Sequence, residues 1–564
     1  MFMVNLQPLA ADYASVFISL LILLAWLFPR ILKIGRRELF LPPGPPTIPI
    51  LGNLHIFPLE STHLKFTEWA RQYGEVISLK IGPRTAIVIN SMEAAKELME
   101  KRSTSTSDRP KNHMAEKVTR GQNMAIISYS DTWRVLRKAA HALLTPKAVE
   151  AHLPIQRAEA CQVMNDFLND PEDFFKHIGR YSNSVIMSIL FGKRCPRYES
   201  VESEAFFRIA DGWNRALSPT VPPVDLLPFL DYLPEKIAWW NTLANDVRQM
   251  QRKLYFGLVD ECEARMKRGE NNGSFMENLL LRQKELGLDR ELVGYAIRHL
   301  SAQVSSTLSY RYLGGVLLEG GTETTASFLR RLVLFLAAFP DAQRKAQEEM
   351  DRVVGHERLP MLQDINDLPY IQALIQEAHR FYPVAPLALP HGASADEEYH
   401  GYVIPKDATI FVNTYAIFHN PDYFENPEAF TPERYLNSEF GTKPGADVSA
   451  FRNNVAFGYG RRICPGISLA ENSLALNTMN FVWAFNFKPP KDDTGNEIPM
   501  SHDIYEKKGI LPITLPFKCR IESRSTNVAE IIEREFRDAT ETFVKFEGDL
   551  APEDRLWVDN LRKM

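Results

Sequence analysis

Cysteine is scarce in this chain, and the few copies follow no pattern. Cys161, Cys195, Cys262, Cys464 and Cys519 are the five. An odd number without paired metal spacing excludes a disulfide framework, and points to a reducing compartment with one functional thiolate. Excess charge is scarce too: a net charge of −5 offers nothing to nucleic acid. No nucleotide- or flavin-binding fingerprint occurs. Against these absences, 45% of residues are hydrophobic and 24% charged, the balance of a globular protein with a sizeable core. Its 564 residues allow several domains or one large enzyme.

A candidate membrane segment occurs near the start. Tyr13 to Phe28 is apolar apart from Ser15 and Ser19, and Arg30, Lys33, Arg36 and Arg37 follow. A spanning helix wants about twenty residues; Ile31, Leu32 and Ile34 extend the run toward that. A cleaved signal peptide would want the positive charge before the run and a small-residue site after it. The run therefore predicts a single-pass membrane anchor over residues 1–40, with the body in the cytosol by the positive-inside rule. Leu41-Pro-Pro-Gly-Pro-Pro46 cannot continue a helix and predicts a stiff, extended hinge. Val76–Ile81 and Thr85–Ile89, split by Gly82-Pro83, predict a β-hairpin. Helical periodicity then dominates to about residue 380, and Tyr399–Tyr402, Ile404-Pro405 and Thr409–Val412 read as short strands and turns.

The stretch with the most chemistry is Phe457-Gly-Tyr-Gly-Arg-Arg-Ile-Cys-Pro-Gly466, followed by an apolar segment, Ile467 to Phe487, that predicts a helix. A thiolate at a helix N-terminus is favoured by the backbone N–H groups aimed at it. Gly460 and Gly466 remove side chains on either side of Cys464, so a large flat group can approach the backbone. Arg462 can meet an anionic substituent on that group. Iron porphyrin held by one Cys thiolate fits these needs; a buried cysteine in a Gly-rich turn is the plainer reading of Cys464 alone.

Other stretches add chemistry or surface. Trp133 and Arg137 are four apart in a predicted helix and share a face. Gly314-Gly-Val-Leu-Leu-Glu-Gly-Gly-Thr-Glu-Thr-Thr325 opens an apolar helix running to about Phe339. Gly320-Gly321 within it is costly for helix propensity, and suggests either close packing or a distortion that leaves room for dioxygen beside Glu323 and Thr324. Glu377 and Arg380 lie three apart on one helix face. Leu217 to Trp240, with Val221-Pro-Pro-Val224, Leu226-Leu-Pro-Phe-Leu230 and Trp239-Trp240, is more apolar than an ordinary loop.

Phe-x-x-Gly-x-Arg-x-Cys-x-Gly is the haem-binding signature of the cytochrome P-450 family, and this chain resembles that family at every fixed position. Gly320–Thr325 resembles its oxygen-activating motif, Glu377-Ala-His-Arg380 its Glu-x-x-Arg motif, and Phe430–Tyr435 the segment whose Arg, here Arg434, completes that triad. The resemblance covers roughly residues 35–520. It implies a mainly α fold with a minor β region, and a haem-thiolate monooxygenase inserting one oxygen atom from O2 into a lipophilic small molecule. It further implies heme b with Cys464 as the iron ligand, Phe457, Gly460 and Gly466 shaping the loop, and Trp133, Arg137, His391 and Arg462 holding the propionates. Glu323 and Thr324 would deliver protons, and Glu377, Arg380 and Arg434 would brace the site. Electrons would come from NADPH through a membrane-bound diflavin reductase, at the endoplasmic reticulum membrane. The Leu217–Trp240 segment resembles the family's substrate-access lid. Among subgroups the chain is most similar to microsomal enzymes of filamentous fungi around O-methylsterigmatocystin oxidoreductase, many of which act in secondary metabolism. A haem-thiolate isomerase or peroxygenase, or a non-catalytic haem protein, would keep Cys464 without needing the acid–alcohol pair.

Two stretches depart from the family. Ala296 to Arg311 is serine-rich, lacks clear helical periodicity, and reads as a surface insertion or as unspliced intervening sequence. Beyond Cys519 about forty residues follow. From Ser525 on they hold ten acidic and six basic residues, and Ile532, Phe536, Ala539, Phe543 and Phe546 fall on one helix face. That predicts a charged helical tail over 521–564, either docked on the body or binding a partner.

Overall fold

The computed structural model describes residues 7–218, 223–225, 227–282, 285–286, 307–508 and 511–563. Helices dominate, the strands are short, and the chain divides into two compact units. One comprises residues 1–110 and 390–413, the other residues 111–389 and 414–564.

The first unit carries α1 (Gln7–Lys33), α2 (Thr62–Tyr73) and six strands: β1 (Val76–Ile81), β2 (Arg84–Ile89), β3 (His391–Gly392), β4 (Glu397–Tyr399), β5 (Tyr402–Ile404) and β6 (Thr409–Val412). The expected hairpin forms, with Val76 opposite Ile89, and β2 pairs in parallel with β6 to give the order β1-β2-β6-β3. Ile77, Leu79, Ile87, Val88 and Ile89 are all buried, so both faces of the hairpin are covered. Phe66 of α2 lies edge-on to Phe411 of β6 at 5.7 Å. The proline run is not a free hinge. Ser78 of β1 donates its N–H to Pro43 O at 2.9 Å, and Arg37 donates to the carbonyls of Gly44 and Pro45.

The expected membrane-spanning anchor is not supported: no described helix is long and apolar enough to cross a membrane. α1 does form over 27 residues. Its apolar stretch, Tyr13–Phe28, is interrupted by Ser15 and Ser19 and stops at Pro29-Arg30. Sixteen residues rise only about 24 Å, against about 30 Å of hydrocarbon. The transmembrane and single-pass expectations fall with it.

The second unit is helical. Its main elements are α3 (Asp131–Leu143), α4 (Leu153–Asn169), α5 (Phe174–Phe191), α6 (Val201–Leu217), α7 (Trp239–Lys267), α8 (Thr307–Ala338), α9 (Pro369–Phe381), α10 (Ile467–Ala484), α11 (Thr526–Val544) and α12 (Pro552–Leu561). A strand pair, β7 (Phe485–Lys488) and β8 (Arg520–Ser523), follows α10. α8 is the spine: its Leu329, Leu332, Val333 and Phe335 join Met187, Leu190 and Phe191 of α5 in one buried cluster. α8 begins two turns before the expected start at Gly314 because its first turns are anchored. Arg311 pairs with Asp260 of α7 at 2.6 Å, and Tyr310 Oη donates to Glu263 at 3.3 Å. Of the Ala296–Arg311 segment, residues up to Ser306 lie outside the described residues, and the last five open α8.

The tail is docked. Ile532, Phe536, Phe543 and Phe546 are buried, Ala539 packs beside them, and α11 lies along α4. Arg194 is buried with its guanidinium 3.4 Å from the Phe543 ring centre, and donates to Glu159 at 3.1 Å and Glu547 at 3.0 Å. Arg197 donates to Asp554 of α12 at 2.8 Å. The apolar face expected either to dock or to bind a partner is therefore covered by the chain itself. In the Leu217–Trp240 segment, residues 219–222 and 226 lie outside the described residues. Val224, Ala238 and Trp240 are buried beside Trp213, while Phe229, Tyr232 and Trp239 are exposed.

Candidate active site

The cysteine loop turns back on itself: Cys464 N–H donates to Phe457 O at 2.9 Å. Gly458 and Gly460 make this possible with φ of +93° and +54°, a region where a β-carbon is strained. α10 starts at Ile467, and the N–H of Gly466 just before it donates to Cys464 Sγ at 3.4 Å. Burial pushes the thiol up, while that N–H and the Arg137 guanidinium favour the thiolate.

Three expected partners assemble around the loop. Arg137 of α3 donates to Ile463 O, next to the cysteine. Arg462 is buried, donates to Ile127 O at 2.7 Å, and sits 4.4 Å from the Trp133 ring centre. Trp133 is itself buried against Tyr129. His391 belongs to the first unit, where its Nδ1 lies 2.9 Å from Thr106 O. Behind the loop, Phe457 packs on His379, whose ring also packs on Phe328. Burial holds that imidazole neutral, with its pKa lowered to about 4.

The Glu377 carboxylate gathers the expected guanidiniums. Arg380 donates to it from Nε and Nη2 at 2.7 and 2.9 Å, Arg434 from Nε at 3.2 Å, and Thr431 N–H at 2.7 Å. Glu377 and Arg380 have no exposed surface. Arg380 also donates to the carbonyls of Phe418, Pro427 and Ala429, so its donors are spent on holding backbone in place.

At mid-length α8 opens. Gly320 is exposed and Thr324 half-buried, between buried Leu318, Thr322 and Ala326. Glu323 and Cys464 are half-buried. The helix runs on through Gly320-Gly321, and Thr324 Oγ1 donates to Gly320 O at 2.6 Å within it. The two glycines do different things. A Cβ on Gly321 would stand 2.6 Å from Ile186 of α5, whereas one on Gly320 would meet nothing within 4 Å. Room comes from the missing side chain at Gly320, and close packing from Gly321. Burial raises the Glu323 pKa, and Arg330, two turns on, partly offsets this.

One cysteine sulfur, two guanidiniums and an indole beside its loop, and a helix turn stripped of side chain fit a flat macrocycle with an anionic edge. A cleft of about 220 Å³ beside Phe457, His379 and Glu471 lies behind the loop; neither Cys464 nor Thr324 lines it.

The cytochrome P-450 family model matches residues 42–514. The chain belongs to the cytochrome P-450 family. A cytochrome P-450 monooxygenase of Armillaria gallica is 42% identical over 545 residues, covering 96% of this chain and all of the relative. The monooxygenase atE of Aspergillus terreus is 35% identical, covering 94% and 97% of the two chains. The monooxygenase patI of Penicillium expansum is 34% identical, covering 93% and 96%. This cytochrome P-450 is thus a monooxygenase of fungal type, and haem is its family's cofactor.

A further polar group escaped the motifs. Glu319 of α8 accepts from Tyr255 Oη at 2.5 Å and Gln251 Nε2 at 2.9 Å, both on α7. Gly315 permits it: a Cβ there would stand 2.1 Å from the Tyr255 ring, so only glycine lets that ring lie on α8 and deliver its hydroxyl one turn on. The available signal was a lone carboxylate within Val316-Leu317-Leu318-Glu319; its partners lie more than sixty residues upstream.

Proposed function

We propose that this cytochrome P-450 inserts one atom of O2 into a lipophilic small molecule in fungal secondary metabolism, with electrons from NADPH through a diflavin reductase. The observation that carries the site reading is the Cys464 sulfur, set before α10 with the Gly466 N–H on it and Arg137 and Arg462 beside it. Heme b bound there supplies the oxygen-activating chemistry, which the thiolate ligand favours. Cys464 is the metal ligand; Phe457, Gly460 and Gly466 hold its loop. Trp133, Arg137, Arg462 and, by resemblance, His391 bind the propionates through N–H donors. Glu323 holds a proton in enclosed surroundings and Thr324 Oγ1, beside the Gly320 opening, passes it on. Glu377, Arg380 and Arg434 fix the backbone behind the loop and touch no substrate.

We read residues 41–520 as the catalytic part and 521–564 as a structural tail, with residues 1–40 as the segment that meets lipid. Phe17, Ile18, Leu20, Leu21, Leu23, Trp26 and Phe28 of α1 are exposed, and Arg30, Lys33 and Arg36 follow. This supports contact with the endoplasmic reticulum membrane surface, the body being cytosolic.

The test is the carbon monoxide difference spectrum of the reduced protein expressed in membranes. The red-shifted band of thiolate-held haem is expected in the natural chain and not in Cys464→Ser. A band typical of neutral or histidine ligation in the natural chain would overturn the ligand assignment. NADPH oxidation that depends on added reductase is expected too; turnover with peroxide alone would favour the peroxygenase reading.

A further inference from the structure

The docked tail leaves a gap against the body. A cavity of about 430 Å³ lies between α4 and α11, and Leu476 of α10 and residues 361–363 complete its wall. The sequence explains why the two helices stay apart there. Glu535, Asp538, Ala539 and Thr542 have the i, i+3, i+4, i+7 spacing of a single helix stripe, and Arg157, Ala158 and Cys161 share a face of α4. Small side chains thus face each other across the seam, while the bulky Ile532, Phe536 and Phe543 of the neighbouring stripe are buried. No residue of the haem loop, the proton path or the Glu377 cluster lines this cavity. Its α11 wall lies beyond residues 42–514, which the family model matches.

The wall sorts by polarity. Ala158, Leu476 and Ala539 are apolar, and burial pushes the Cys161 thiol up to about 12, so that part carries no charge. Charge comes from Arg157, Glu535 and Asp538, all three of which act on the Cys161 thiol. Arg157 is held by Glu535 at 3.2 Å. Asp538 is exposed, and among the described residues no cation pairs with it. Two carboxylates against one guanidinium leave the cavity net negative.

We propose that this cavity is a second ligand site, separate from the haem, and that it takes a small lipophilic amine. The apolar body lies against Ala158, Cys161, Leu476 and Ala539, and the ammonium group faces Asp538. The volume falls within the range of small-molecule sites. An organic acid would meet two carboxylates with the one guanidinium already engaged, and a neutral molecule would leave Asp538 without a counter-charge. The bound amine bridges tail and body, so the tail holds a ligand as well as packing on the core.

The experiment uses the full-length haem-loaded protein and three aryl trifluoromethyl diazirines that differ only in bearing an aminomethyl, a hydroxymethyl or a carboxyl group. After irradiation, mass spectrometry counts label on peptides spanning residues 153–161 and 535–542 as probe concentration rises. The amine is expected to half-saturate those peptides at least about twofold below the alcohol and about fivefold below the acid, the worth of exposed charge pairs. High salt should shrink both differences. Asp538→Asn, at an exposed position, should bring amine and alcohol together. Thr542→Trp, which fills the cavity from α11, should abolish saturable labelling of both peptides. No saturable label there below about 1 mM, equal saturation by the three probes, a preference for the acid, or an amine preference that survives Asp538→Asn would overturn the proposal. The readout is local to the tail seam and does not depend on which residue ligates iron.

Discussion

Phe543 seats the C-terminal tail on the enzyme, and replacing it by alanine tests whether those residues belong to the core. The ring is 1% exposed and carries the Arg194 guanidinium 3.4 Å above it. Deleting a buried phenyl group costs about 3–5 kcal/mol, of which the cation–ring contact makes up about 0.5–2. Arg194 keeps Glu159 and Glu547, so no unpaired charge adds to this figure. A loss of that size is a large share of the about 5–15 kcal/mol typical of a folded domain. The assay is denaturant unfolding followed by tryptophan fluorescence, comparing midpoints at constant slope. Glu541→Ala, exposed on the same helix, serves as control and should stay within about 0.5 kcal/mol of the natural chain. If Phe543→Ala behaved like the control, the tail would not be seated as described, and the reasoning would fail.

Other consequences follow from the same geometry. Glu377→Ala leaves Arg380 and Arg434 charged and buried without their carboxylate, so a loss of about 3–5 kcal/mol and poor haem retention are expected; haem content per purified chain checks this. Gly315→Ala forces the Tyr255 ring away and should destabilise, whereas Gly320→Ala meets no atom and should gain up to about 1 kcal/mol of helix propensity. Thermal unfolding of the two variants should therefore move in opposite directions. Thr324→Ala should shift NADPH consumption toward peroxide; unchanged coupling would remove Thr324 from the proton path. Glu319 holds its proton to about pH 7 in the fold but only to its ordinary 4.5 when unfolded. The folded state then binds more protons between those values, and stability falls as pH rises through them, by about 3 kcal/mol. Tyr255 and Tyr312 beside it stay protonated throughout. Glu319→Gln should flatten that slope, and identical pH profiles would count against an enclosed acid.

Much of the site was legible from local spacing. Cys464 two residues before a helix cap, the paired glycines of α8 and the three-residue step from Glu377 to Arg380 are short-range patterns, and short-range patterns survive in the one-dimensional chain. The hairpin was legible for the same reason, since Gly82-Pro83 sets its turn between two short apolar, β-branched arms. The N-terminal run misled because composition counts apolar residues without asking how far they rise, and two serines and Pro29 make the stretch too short. At Gly320-Gly321 the sequence left close packing and a distortion both open, because propensity sees two glycines alike. Only the neighbouring α5 shows that Gly321 is needed for contact and Gly320 for space.

By itself, then, the sequence determined the family, the cysteine loop and the order of the helices, because those depend on residues within one or two turns of each other. Tertiary structure alone decided the rest. It closed the tail over α4 through Arg194, and set Tyr255 and Gln251 against Glu319. These pairings join residues tens to hundreds of positions apart, and no periodicity records which helices will lie side by side. Burial is likewise a property of the packed chain: the same glutamate is an ordinary acid in solution and a near-neutral group beside Gly320.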